Sequence, residues 1–136
     1  MATVTQPRKT LVFGIVALVA FAVIATTAAI WWKQHNKLSQ ASKADCQLAQ
    51  DLIDSAQQIP KDEAGIEKWV KAERKLRAQL HDGYLGANIS AYNGWAAQRA
   101  KGEGKPPQKQ IRRVADSAND HCADADVKLT FPSLSA

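Results

Sequence analysis

The first 43 of the 136 residues contain no aspartate or glutamate, and Arg8, Lys9, Lys33, Lys37 and Lys43 give them the whole formal net charge of +5. The remaining residues balance, with 13 basic and 13 acidic side chains. A basic excess spread over a domain would suit nucleic acid. An excess confined to the flanks of one apolar segment excludes that reading and suits a membrane. Catalytic signatures are also missing: the chain has no GxSxG, no phosphate-binding Walker loop, no HExxH and no CxxC. Nothing in its order of residues sets a nucleophile beside a base, so an enzyme is not expected. His35, His81 and His121 include no pair at ligand spacing. Internal repeats and sustained heptads are absent, which excludes solenoids and long coiled coils.

What is present begins with Leu11–Trp32, 22 residues without a charge, Asn, Gln, His or Pro. At ~1.5 Å per residue such a helix spans roughly 33 Å, enough for a hydrocarbon core of about 30 Å. Trp31 and Trp32 close it with rings suited to the headgroup region, and Lys33 follows. The competing reading is a cleaved signal peptide, with small residues at 25–29 for a cleavage site. The run is longer than the usual apolar core of about 7–15 residues in such signals. Ala22, Ala25, Thr26 and Ala29 recur at i, i+3, i+4 and i+7, a small-residue face of the kind along which membrane helices approach closely.

Positive charge on both sides of the span leaves orientation nearly tied. The two cysteines, Cys46 and Cys122, both follow the span. A disulfide between them would mean an oxidising compartment, placing residues 1–10 in the cytoplasm and residues 33–136 outside.

Beyond a basic connector at 33–43, the spacing predicts helices. No Gly or Pro occurs between Ile15 and Ile59, so the membrane helix is free to continue outward. Alternatively Ser42 with Asp45 forms a capping box that starts a new helix. Ala49, Leu52, Ile53, Ala56 and Ile59 then make a stripe that Pro60 stops. A second helix fits Asp62, as cap, to His81, with Ile66, Trp69, Val70, Leu76 and Leu80 on one face. Residues 82–100 keep helical spacing at Leu85, Ile89, Tyr92 and Ala96, although Gly83, Gly86 and Gly94 each weaken a helix by about 1 kcal/mol. Lys101–Lys109 reads as a loop, and Pro107 suits the first turn of a last helix carrying Ile111, Val114, Ala115, Ala118 and Cys122. Four antiparallel helices would bring Cys46 and Cys122 to the same end, whereas an odd number would separate them.

The fold class expected is therefore all-α: one N-terminal transmembrane helix (11–32), then a small three- to four-helix bundle (44–126) with one disulfide. The tail, 127–136, alternates Val127, Leu129 and Phe131 with polar residues and reads as an extended segment that docks either in the groove of its own bundle or, the reading preferred, on a partner subunit. Asp116, Asp120 and Asp124, with His121 and Asp126 beside them, lack the glycine and terminal glutamate of an EF-hand loop. They read as a solvated or partner-facing acidic patch, with no metal and no cofactor. Trp69, Tyr84, Tyr92 and Trp95 have helical registers that favour core over an exposed sugar-binding platform. The functional expectation is a non-catalytic accessory or scaffolding subunit of a larger membrane complex, such as a bacterial respiratory assembly. Its partners would be the lipid bilayer and other membrane subunits, with no nucleic acid and no small-molecule substrate. The alternatives are a stand-alone envelope-binding or sensing module, and a phage-type lysis or spanning protein.

Overall fold

The computed structural model describes residues 8–104 and 106–134, with side chains from Phe13 onward. Most of the expected cytoplasmic segment 1–10, and the last two residues of the tail, lie outside the described residues. Five α-helices occur among the described residues, with no strand: α1 (Arg8–His35), α2 (Lys43–Ser55), α3 (Glu63–Arg77), α4 (Gly83–Ala100) and α5 (Gln108–His121), followed by a 3-10 turn at Ala123–Ala125. The chain divides into two compact units, one up to Lys37 and one from Leu38.

α1 is the first unit. Its stretch Phe13–His35 is long and apolar enough to cross a membrane, and none of it is buried within the chain. Thr26 and Thr27 do not break the apolar character, because each hydroxyl donates to carbonyls one turn back: Thr26 to Ala22 and Val23, Thr27 to Val23 and Ile24. Trp31 and His35 stack one turn apart, ring centroids 4.2 Å.

The helix does not run on into the domain. α1 stops at His35 and α2 starts at Lys43, because Ser42 takes an extended conformation and its hydroxyl accepts from the Asp45 N–H at 3.1 Å. Ser42 thus starts a new helix as its N-cap, but the box is not closed, because the Asp45 carboxylate accepts from the His81 and Asp82 N–H groups instead. Asp62 and Asp82 cap α3 and α4 in the same way, accepting from the N–H groups of Gly65 and Leu85 at 2.8 Å each. Gly65 is required by space: a Cβ there would lie 2.5 Å from Cβ of Pro60 and 2.8 Å from the Asp62 carboxylate.

Two helices are shorter than the periodicity predicts. α2 ends at Ser55, short of Ile59: the N–H groups of Gln57 and Gln58 turn to carbonyls three residues back, and Pro60 bars Ile59 from helical geometry. α3 ends at Arg77, short of His81, because the N–H groups of His81 and Asp82 are taken by the Asp45 carboxylate. α4 forms despite its glycines because it is the central helix, packing against α2, α3 and α5. It buries Leu85, Ile89, Tyr92 and Ala96, and each large apolar side chain returns roughly 1.5–3 kcal/mol against the glycine penalties.

The domain is a four-helix antiparallel bundle, and the parity argument resolves as it must. Ala41 N–H donates to His121 O at 2.8 Å. Cys46, in the first turn of α2, is joined by a disulfide to Cys122 just past α5, with a Cα–Cα distance of 5.9 Å. The core consists of Cys46, Leu52, Ile53, Leu85, Ile89, Tyr92, Cys122 and, unexpectedly, Leu134, all fully or almost fully buried.

That last residue corrects the reading of the tail. Val127, Leu129 and Phe131, expected to meet a partner, pack on this domain's own core, where Leu129 is buried and the other two are half-buried. The alternation is real, with Lys128 and Thr130 exposed. The surface that receives it is the chain's own, spanning α2 and α5. Two side-chain amides hold the tail backbone there as a neighbouring strand would. Asn119 on α5 accepts from Leu129 N–H at 2.7 Å and donates to its carbonyl at 3.1 Å. Gln50 on α2 accepts from Thr130 N–H at 2.8 Å and donates to its carbonyl at 3.3 Å. Tyr92 then donates its hydroxyl to Pro132 O at 2.8 Å and meets the Phe131 ring edge-on at 5.1 Å.

Candidate functional site

The densest grouping of polar side chains lies at the end of the bundle where the chain enters it, between the starts of α2 and α4 and the end of α5. Residues 39–41 run beside 120–124 here. Gln40 spans the gap, donating to Asp120 O at 2.9 Å and accepting from Asp124 N–H at 3.0 Å.

Two carboxylates anchor the cluster. Asp45, in the first turn of α2, accepts from the N–H groups of His81 and Asp82 at 3.0 and 3.1 Å, and its other oxygen lies 3.2 Å from the His81 ring. Burial pushes its pKa up, but the hydrogen bonds from the His81 ring and from those two N–H groups outweigh burial, so the net shift is downward. Asp82 behaves alike. Burial raises it, while the Leu85 N–H, the Ser39 hydroxyl and the neighbouring His121 bring it below the ordinary value.

Ser39, Asp82 and His121 together have the composition of a hydrolytic triad but not its connectivity. His121 Nδ1 lies 2.7 Å from the Ser39 carbonyl, which has no proton to offer, so Nδ1 carries the hydrogen and donates. The Ser39 hydroxyl sits 3.1 Å from that same nitrogen and donates to Asp82 at 2.9 Å. A nitrogen already donating cannot accept the serine proton, so His121 is not a base for Ser39, whose proton goes to Asp82 instead. What the arrangement does is clasp the incoming chain: the buried His121 ring and Asp82 hold Ser39, and Tyr84 covers His121 at a ring distance of 5.5 Å. Two shallow cavities of about 400 and 520 Å³ flank the cluster and share His81 and Asp82 in their walls.

A second buried polar group joins α2, α3 and α4. Glu73 is gripped by Arg77 at 2.9 Å and receives Asn93 Nδ2 at 3.1 Å; the same amide nitrogen donates to Leu52 O at 3.2 Å. The Asn93 carbonyl oxygen is buried without a partner. Tyr92, accepting from Gln57 at 2.9 Å, has its hydroxyl pKa pushed up to about 12 by burial.

The other residues singled out from sequence are dispersed. Ala22, Ala25, Thr26 and Ala29 lie exposed on α1. Among the described residues no group of three or more His, Cys, Asp or Glu is arranged to hold a metal ion. His121 turns inward to Ser39. Asp116 and Asp120 border an open cavity of about 530 Å³ with Lys109, Arg112 and Arg113, so both signs of charge share one face of α5. Of the four aromatics, Tyr92 is core, Trp69 and Trp95 pack half-buried against it, and Tyr84 is 70% exposed at the entry end. Asn88 on α4 donates to Ser117 on α5 at 3.0 Å. The amides Gln40, Gln50 and Asn119 carry no sequence signal for their roles: each sits at a helix or loop position where a polar residue is ordinary.

No protein-family model, curated protein or solved structure matches this chain.

Proposed function

We propose that this chain is a non-catalytic, single-pass accessory subunit of a larger membrane complex, its N-terminus cytoplasmic and its disulfide-closed bundle on the outer side. The observation that carries the reading is the union of two parts. One is an apolar span, Phe13–His35, none of which the chain itself covers; the other is a domain tied by Cys46–Cys122. The span requires lipid or a partner helix around it, and the disulfide suits an oxidising compartment. Ala22, Ala25, Thr26 and Ala29 offer a face for close helix packing, the Thr26 hydroxyl being spent on its own backbone. Three of the four aromatics, Trp69, Tyr92 and Trp95, pack in or against the core while Tyr84 is exposed, a balance that supports this reading over a stand-alone envelope-binding module, which would present its aromatics to a ligand.

Purification of the full chain from its native membrane in mild detergent tests the proposal. Membrane proteins should accompany it in fixed stoichiometry, and leucine at positions 22, 25 and 29 should release them. A monodisperse monomer from native membranes overturns the reading.

A further inference from the structure

α5 carries its charges in an order that works against the helix itself. At 3.6 residues per turn, Lys109, Arg113, Asp116 and Asp120 fall within about 60° of one another around its axis. They lie opposite the buried Ile111 and Ala118. All four are exposed, Arg112 stands at the margin of the same stripe, and the open cavity of about 530 Å³ runs along it. The cations occupy the first half of the helix and the acids the second, an order that opposes the helix dipole. α3 has the favourable order, with Glu63 in its first turn and Arg74, Lys75 and Arg77 in its last. Within α5, Lys109 and Arg113 are like charges at i,i+4, and so are Asp116 and Asp120, a spacing that destabilises a helix. Among the described residues no ion pair engages any of the four.

The spacing is symmetric about the midpoint between Val114 and Ala115. Lys109 stands as far before that point as Asp120 stands after it, and Arg113 as far before as Asp116 after. Turning the helix over about that midpoint exchanges every cation for an acid, which is the self-complementarity a two-fold interface requires. We propose that α5 is the contact helix of a symmetric dimer, laid antiparallel on α5 of a second copy. Lys109 then faces Asp120 and Arg113 faces Asp116 across the axis, and each pair forms twice. The charge order commits the occupant: the matching surface must set acids opposite 109 and 113 and bases opposite 116 and 120, and this helix reversed does so. α4, packed beside α5, adds no charge against the approach, since its exposed residues are Gly83, Tyr84, Ala87, Gly94 and Gln98. A contact held by exposed ion pairs is weak and sensitive to salt.

The test is sedimentation equilibrium of the purified full chain in density-matched detergent micelles, which leave each domain free to turn. No other protein is present, so the outcome is independent of whether partner subunits exist. The parent should dimerise at low ionic strength, and association should weaken at least about tenfold between ~0.02 and ~0.5 M salt. Two double variants share one composition and one net charge. Lys109→Asp with Asp120→Lys exchanges the members of a facing pair and should keep the dimer. Lys109→Asp with Asp116→Lys sets acid against acid and base against base, and should weaken association at least about tenfold. Near-ultraviolet circular dichroism should match the parent in both, because every altered side chain is exposed. A parent that is monomeric at low ionic strength overturns the proposal. Equal association of the two double variants also overturns it, because the contact then does not depend on this register.

Discussion

Replacing Leu134 by alanine should unfold this domain far more readily than its place near the end of the sequence suggests. Leu134 is fully exposed in any reading that leaves the tail free, but in the folded domain its exposure is 0%. Removing a buried leucine side chain costs its transfer free energy plus the cavity left behind, about 2–5 kcal/mol. For a domain of this size each kcal/mol lowers the thermal midpoint by roughly 4–8 °C, so the expected fall is on the order of 10–40 °C. Leu129→Ala, at 3% exposure, belongs to the same range. Leu76→Ala, at a half-exposed position, serves as the comparator and should cost less than ~1 kcal/mol. The assay is urea unfolding of the full chain in mild detergent, followed by near-ultraviolet circular dichroism so that α1 contributes little. Equal midpoints for Leu134→Ala, Leu129→Ala and Leu76→Ala would refute the packing described for the tail.

The remaining predictions address the other ties. Removing the disulfide by Cys46→Ala with Cys122→Ala should cost roughly 4 kcal/mol by the chain-entropy model for its separation of 76 residues, seen as a lower urea midpoint than the oxidised parent. Asp45 and Asp82, both titrating below the ordinary value of 3.8, contribute stability that is complete above that value and is lost as pH falls through their folded-state pKa values. Asp45→Asn should therefore flatten the acid limb of a stability-against-pH curve below about pH 4, and an unchanged limb would count against the role given to that carboxylate. Two glycine replacements should differ in sign. Gly94→Ala on the open face of α4 should stabilise by about 0.5–1 kcal/mol. Gly65→Ala should destabilise, because the Pro60 ring stands 2.5 Å from the new Cβ; matching melting temperatures for the two would show the α3 entry to be looser than described.

Much of the architecture is legible from residue order because its causes are local. An uncharged run of 22 residues has few fates, and Ser42 and Asp62 mark helix starts through bonds reaching only three residues ahead. The disulfide agrees with an even number of helices, which brings Cys46 and Cys122 to one end. What is not legible depends on distant partners. The alternation of Val127, Leu129 and Phe131 says that one side of an extended chain is apolar, but not which surface receives it. Gln50 and Asn119, which decide the matter, reach across the fold with side chains that have no periodic signature. α3 overshoots in the sequence reading for the same reason: the pull that ends it comes from Asp45, 36 residues away from His81. At the entry cluster Ser39, Asp82 and His121 bond to one another although 82 residues separate the outer two.

The pairing of Cys46 with Cys122 also sets an order on biosynthesis. A ribosome adds about 5–20 residues per second, so Cys46 waits roughly 4–15 s as a free thiol before its partner, 76 residues later, has even been made. These 136 residues hold two cysteines, so a wrong bond within them is impossible during that interval, and a bond to a second nascent copy is the remaining hazard. α2, α3 and α4 can assemble meanwhile around the central helix. α5 then arrives with Cys122, and the segment that fills the gap between α2 and α5 comes last. The domain is thus finished from its C-terminal side, and a chain released before Leu134 has a lid missing as well as a few residues.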